Sequence, residues 1–208
     1  MIQSEKQVGH SFDNDRKKTL AHLDGSDKSK KGSIDTEILS LVDTINQHPD
    51  FYTTSSCAGR ILCIKVPFPT KKQAAEWLFL THDIDAAVAE PIIEAINDPA
   101  SLDHTVWFKQ ESPIIHVCCR TIDAANQLLR VAYANGLKRS GIISISNTHR
   151  IIVALLSTEN IETPLVSEHT RHVDDPYVQT LVTFAKTKLQ HARDKFDRFL
   201  EQFSETYK

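Results

Sequence analysis

This chain has none of the sequence features that mark export, membrane insertion or the commonest cofactor folds. It holds no apolar run of the roughly 18 residues that a membrane-spanning helix needs. Its first residues, MIQSEKQVGHSFDNDRKK, have no apolar stretch of the kind a secretory signal carries. Cysteine is scarce: Cys57, Cys63, Cys118 and Cys119 are the only four. They are too few for a disulfide framework, so reduced thiols and a cytoplasmic location are expected. Glycine is scarce too, with six residues. No GxGxxG dinucleotide loop, GxxxxGK[ST] phosphate loop or GxSxG elbow is present. There is no CxxC pair, and on a strand Cys119 faces away from His116 and Cys118, so no metal site is expected. A formal net charge of −3 excludes a generally basic, nucleic-acid-coating surface but allows a local basic patch.

What remains is ordinary globular composition, 40% apolar and 25% charged over 208 residues. Residues 1–11 are expected to form a flexible N-terminus and residues 12–205 one domain. A short helix is expected from about Phe12 to Leu23, and DGSDKSKKG, Asp24 to Gly32, reads as an exposed loop. Ser33 is a good N-cap, with Asp35 and Glu37 in the first turn of a helix carrying Ile34, Ile38, Leu41, Val42 and Ile45. Pro49 ends it. Strands then flank SSCAGR, with Pro67 and Pro69 closing the second. Trp77 to Thr81 reads as a strand ending at His82, followed by a helix capped by Asp83 or Asp85 and running to about Asn97. Strands are expected at Thr105–Lys109 and Ile114–Arg120. Thr121 caps a helix whose buried stripe is Ile122, Ala125, Leu128, Leu129 and Ala132, with Gly136 past its end.

Ile142–Ser146 and Arg150–Leu156 read as a strand pair turned at Asn147-Thr148-His149. Thr158 to Pro164 reads as loop. A long amphipathic helix, about Pro176 to Phe203, follows, with Tyr177, Leu181, Phe184, Leu189, Phe196, Phe199 and Leu200 on its apolar side. Strands joined by short turns and interleaved with helices predict an α+β fold with a mixed, mostly antiparallel sheet and flanking helices.

The stretch FYTTSSCAGRILCIK, residues 51–65, carries the densest chemistry. Hydroxyls at 53 to 56 supply donors and acceptors with little bulk. Gly59 permits a tight turn or a close ligand approach, and Arg60 offers a fork suited to carboxylate or phosphate. The plain alternative is a hairpin turn whose hydroxyls satisfy their own backbone. His82, His116 with Arg120, and Arg139-Ser140-Gly141 stand at other strand ends. Brought together, these groups suit a ligand with an amine and a carboxylate, or a phosphate. A lone strand histidine such as His116 is more commonly a satisfied core residue, and only its place beside Arg120 favours a functional role. Cys57 reads as a small buried thiol, since no base is named for it. Trp77, Trp107 and Phe108 could stack on a base, though strand aromatics are usually core. Lys28, Lys30 and Lys31 read as phosphate contacts or as solvated loop charge.

Several of these pieces together resemble one family. They are Lys31-Gly32-Ser33-Ile34-Asp35, Thr53-Thr54-Ser55-Ser56-Cys57-Ala58-Gly59-Arg60, His82 after the Trp77 strand, Phe108-Lys109, His116-Val117-Cys118-Cys119-Arg120, and Gly136 with Ser140-Gly141-Ile142. The chain is similar, from Phe12 through the tail helix, to the tRNA wybutosine-synthesizing protein 3 family. Ala58 stands where that pattern has Ser, and Leu137 where it has an aromatic. The resemblance implies an S-adenosylmethionine-dependent tRNA methyltransferase without the Rossmann-like methyltransferase fold. Its substrate would be the wyosine-type base 3′ of the anticodon in phenylalanine tRNA, methylated at the N4 ring nitrogen, with possible contact to other wybutosine-pathway enzymes. Under that reading Ser55, Ser56, Cys57, Gly59, Arg60, Ser140 and Gly141 would hold the cofactor. His116 or His82 would take the proton, with Asp35 orienting it. Arg120, Arg139 and Lys28, Lys30 and Lys31 would meet tRNA phosphates. A silent tRNA-binding module and a Cys57-dependent enzyme are the competing classes.

Overall fold

The computed structural model describes residues 5–23, 35–67, 75–146 and 150–207. In chain order the elements are α1 (Glu5–Leu23), α2 (Leu39–Gln47), β1 (Phe51–Cys57), β2 (Arg60–Pro67), β3 (Glu76–Thr81) and α3 (Glu90–Asn97). Then come β4 (His104–Glu111), β5 (Ile114–Cys119), α4 (Ile122–Ala134), β6 (Gly141–Ile145), β7 (Ile151–Leu156), β8 (Ile161–Ser167), β9 (Thr170–Arg171) and α5 (Asp175–Thr206). The α+β class expected from the sequence is the one observed. Its strands form two sheets, ordered β1-β5-β7-β6 and β3-β2-β4-β8-β9, and every described pairing is antiparallel. Among the described residues no helix is long and apolar enough to cross a membrane.

The chain divides into two compact units. The first comprises Met1–Ala58, Pro113–Thr158 and Asp194–Lys208. Its core lies on one face of the four-stranded sheet, where Ile115, Val117 and Cys119 of β5 and Val153 and Leu155 of β7 meet Ala125, Leu128 and Ala132 of α4. The end of α5 adds Phe196, Phe199 and Phe203 to that core. On the other face α1 sets Phe12 against Tyr52 and Cys118. Arg16 holds α1 there, donating to the carbonyls of Phe51 and Asn46. The second unit comprises Gly59–Ser112 and Glu159–Arg193. Its core joins Ile61, Cys63, Val106 and Phe108 of the five-stranded sheet to Ile92 and Ile96 of α3 and to Val178, Val182, Ala185 and Leu189 of α5.

Several local expectations are corrected. SSCAGR is not a hairpin turn, because β1 pairs with β5 while β2 pairs with β3 and β4. Gly59 is nonetheless needed there, at φ 80°. The helix expected from residue 34 begins later: Asp35 is extended, Thr36–Ile38 make a single 3-10 turn, and α2 starts at Leu39. Asp35 is drawn out of the helix because its carboxylate accepts the Ala58 N–H at 2.8 Å. Neither Asp83 nor Asp85 caps α3. The Asp83 side chain instead closes a local turn on the Asp85 N–H at 2.8 Å, and the helix waits for Pro91 in its first turn.

Pro164, assigned to a loop by sequence, lies within β8 opposite Trp107. It is tolerated because β9 pairs only with Val166 and Ser167, leaving that stretch of β8 at the sheet edge. Ile122, Tyr177 and Phe184 are exposed rather than part of buried stripes. The loop at 24–32, the Ser33 cap, Pro69 and the turn at 147–149 lie outside the described residues.

The aromatic cluster at the end of α5 ties the last turns of the chain to the start of β1. Phe203 is 1% exposed, with ring centroids 5.7 Å from Phe51 and 4.5 Å from Tyr207. Phe203→Ala should lower unfolding free energy by about 3–5 kcal/mol, the usual cost of deleting a fully buried phenyl ring. A denaturant titration followed by circular dichroism checks this.

Candidate functional site

Alternation along β5 decides which side chains leave the core. Ile115, Val117 and Cys119 are fully buried against α4, so His116 and Cys118 must face the other way. On the neighbouring strand, simple alternation from Tyr52 would put Thr54 on that face and Ser55 on the core side. A bulge at Thr54 reverses this. Tyr52 pairs with Cys118 and Thr53 with Val117, but the next pair is Ser55 with His116. The bulge is anchored from behind, where the Asn46 side chain takes the Thr53 N–H at 2.8 Å and donates to the Thr53 hydroxyl at 3.0 Å. Bulges re-aim side chains in this way beside functional sites.

The result is a polar row across the four-stranded sheet. Ser55 stands opposite His116, His116 opposite Ala154, and Ala154 opposite Gly141. The Ser55 hydroxyl lies 2.8 Å from His116 Nδ1. Cys57, half-buried, shares this face through its pairing with Ile114. Ser56 does not, since it stands opposite Ile115 on the core side. Beyond Ala154 the row is open, for a Cβ placed on Gly141 would meet no atom within 4 Å. Ser140 is buried, and its hydroxyl takes the Leu156 N–H at 2.9 Å, so it anchors β6 to β7 at Gly141. Burial pushes the His116 imidazole below its ordinary value of 6.5, which keeps it neutral near pH 7.

The other expected residues take different surroundings. Arg120 donates to Asp50 at 2.7 Å and Asp13 at 2.6 Å, and its guanidinium lies 4.4 Å from the Phe12 ring centroid. It therefore clamps α1 to the sheet. Arg139 is exposed just before β6, with its N–H on the Leu156 carbonyl. In the second unit, His82 Nδ1 lies 3.0 Å from the Gly59 carbonyl, to which it donates. Arg60 Nε donates to Glu111 at 2.5 Å. Asp35 accepts the Ala58 N–H described above, where Ala58 is fully buried. Lys28, Lys30 and Lys31 lie outside the described residues. Two features escaped the sequence reading: the Thr54 bulge, which has no residue signature, and Ala154, an inconspicuous alanine in an apolar run.

A search against protein-family models matches residues 14–205 to Methyltransferase TYW3. The chain belongs to this family. A Thermococcus sibiricus relative named tRNA(Phe) 7-((3-amino-3-carboxypropyl)-4-demethylwyosine(37)-N(4))-methyltransferase is 33% identical over 198 residues, covering 95% of this chain and 97% of its own. An Arabidopsis thaliana relative, tRNA wybutosine-synthesizing protein 2/3/4, is 35% identical over 202 residues, covering 90% of this chain and 20% of its own. Among solved structures, the PH1069 protein from Pyrococcus horikoshii superposes with a TM-score of 0.80 at 30% identity, covering 95% of this chain and 98% of that one.

In this TYW3 methyltransferase the His116 environment has a measurable consequence. Its folded value lies below the unfolded value of 6.5, so the unfolded chain binds the proton more readily. The stability linked to this group is complete above pH 6.5 and is lost as pH falls through the folded value. An NMR titration of the imidazole should give a midpoint below 6.5, and unfolding free energy should decline across the same interval. A midpoint at or above 6.5 would contradict the burial argument.

Proposed function

We infer that this protein transfers a methyl group to the N4 nitrogen of the 7-(3-amino-3-carboxypropyl)-4-demethylwyosine base at position 37 of phenylalanine tRNA, the reaction its relatives' names describe. The observation that carries the reading is the neutral, half-buried His116 imidazole paired with Ser55 on a face that opens at Gly141. A ring nitrogen that gains a methyl must lose its proton. An imidazole held neutral at pH 7 is suited to accept it. Ser55 on Nδ1 fixes the plane of the ring, so the second nitrogen is presented in a constant direction.

S-adenosylmethionine is the proposed donor. When bound it supplies a methyl group on a positively charged sulfur. The donor set of this chain fits such a molecule. The Ser55 hydroxyl stands at the exposed end of the row, Cys57 shares its face, and Gly141 leaves space for a close approach. Gly59 and Arg60 remain proposed for the amino-acid end of the donor, since the guanidinium carries further N–H groups beyond the one on Glu111. Ser140 and Asp35 act as positioning residues, through Leu156 and through Ala58 respectively. Arg139 and the lysines at 28, 30 and 31 are proposed for tRNA phosphates, a contact that weakens steeply with salt. A cytoplasmic site of action and contact with other enzymes of the pathway belong to the same reading. The composite name of the longer Arabidopsis relative supports the latter.

The test uses phenylalanine tRNA carrying the 4-demethyl base, with isotopically labelled S-adenosylmethionine. The parent protein should add one methyl to that base. His116→Gln should cut the transfer rate by roughly 10²- to 10⁴-fold, the usual share of a positioned base, while tRNA affinity stays unchanged. The parent rate should rise with pH along one ionisation below 6.5 and then level off, since the deprotonated imidazole is the active form. If His116→Gln keeps the parent rate and profile while His82→Gln loses both, the proton goes to His82 instead.

A further inference from the structure

The outer face of the five-stranded sheet holds two tryptophans and Lys109, which the methyl-transfer chemistry does not use, beside Arg60, which is proposed above for the donor. Ile61 and Cys63 of β2 and Val106 and Phe108 of β4 point into the core of the second unit. Alternation then sends Arg60, Leu62 and Ile64 of β2 to the opposite face, with Trp107 and Lys109 of β4. Ile64 stands directly opposite Trp77 on one side and Trp107 on the other, so two indoles flank it in one row. Trp77, on edge strand β3, is 51% exposed, and Trp107 is half-buried.

Each indole carries a cation. The Arg60 guanidinium lies 5.2 Å from the Trp77 ring centroid, and the Lys109 ammonium lies 5.9 Å from that of Trp107. Both cations are held in place, Arg60 by Glu111 at 2.5 Å and Lys109 by Glu162 at 2.6 Å. Leu62, between Arg60 and Ile64 on this face, is only 1% exposed.

We propose that this face docks unpaired bases of an RNA loop, with Trp77 and Trp107 as stacking platforms. Sheet aromatics beside cations are the arrangement that single-stranded RNA requires. Bases stack on the rings, and phosphates run past the positive heads. β3 and β4 flank β2, so the two indoles are separated by two strand spacings, about 9.5 Å. That exceeds the roughly 3.4 Å between stacked bases. The face thus suits bases splayed out of a loop and not a continuous stack. The proposal rests on the tRNA reading above and specifies which surface meets the loop.

Trp77 and Trp107 are the only two tryptophans in the chain, so tryptophan fluorescence, excited selectively over tyrosine, reports on this face alone. Without any methyl donor, an RNA hairpin with an anticodon-sized loop should quench the emission, and a blunt RNA duplex should not. Trp77→Ala should weaken hairpin binding by roughly 5- to 150-fold, the loss of one base stack. Trp77→Phe should restore most of it. The slope of log affinity against log salt should stay unchanged, because no phosphate contact is removed. Should Trp77→Ala fail to fold, the quench amplitudes of Trp77→Phe and Trp107→Phe carry the test.

Parent-like hairpin affinity in Trp77→Ala overturns the proposal. So does a concentration-dependent dimer, seen by light scattering without RNA, that Trp77→Ala abolishes. A parent protein that binds the hairpin but transfers no methyl would sink the methyltransferase reading and leave this inference standing. An active enzyme whose RNA affinity ignores Trp77 would do the reverse.

Discussion

The burial of alternate residues along β5 is the constraint from which the first unit follows. Ile115, Val117 and Cys119 are driven into one core by their apolar surface. Their neighbours His116 and Cys118 have no choice of side. The strand is paired on both edges, by β1 and by β7, so its register is fixed over its whole length. A slip of one residue would bury His116 and expose three apolar side chains together. The side of the sheet that the imidazole takes is therefore a by-product of core packing.

β1 shows how the Ser55–His116 pair is assembled on that frame. Its alternation would have left Ser55 on the wrong side of the sheet. One extra residue at Thr54, secured by Asn46, turns the hydroxyl towards the imidazole. Gly141 and Ala154 keep the remainder of the row low, and Ser140 anchors the strand that brings Gly141 there. The chemistry of the face thus depends on backbone irregularity as much as on side-chain identity.

Legibility in the sequence followed the same division. Period-two and period-3.6 patterns marked β5, α4 and most of α5, because their apolar faces are long and regular. Thr121 as cap and Gly136 at φ 85° past the helix end are local signals and were legible as such. What misled was tertiary. Asp35 is a sound first-turn acid until the Ala58 N–H draws it away. Pro164 is a poor strand residue until an edge position makes its missing N–H harmless. SSCAGR reads as a hairpin because pairing partners cannot be inferred from two adjacent apolar runs. Arg120 carried a phosphate-binding signature, yet Asp13 and Asp50 are what its fork holds. The family resemblance supplied what spacing could not, which is the reaction.

The thiols of the chain are unequal. Burial suppresses the thiolate at Cys118 and Cys119, and it raises Cys63 to about 12. The adjacent pair on β5 points to opposite faces of its sheet, which keeps the two sulfurs from joining. Cys57 alone is half-exposed, two pairing rows from His116 on the same face. Towards an alkylating or spin-labelling reagent, the folded protein behaves as a single-cysteine chain whose reporter sits beside the proposed reaction centre, with no mutagenesis required.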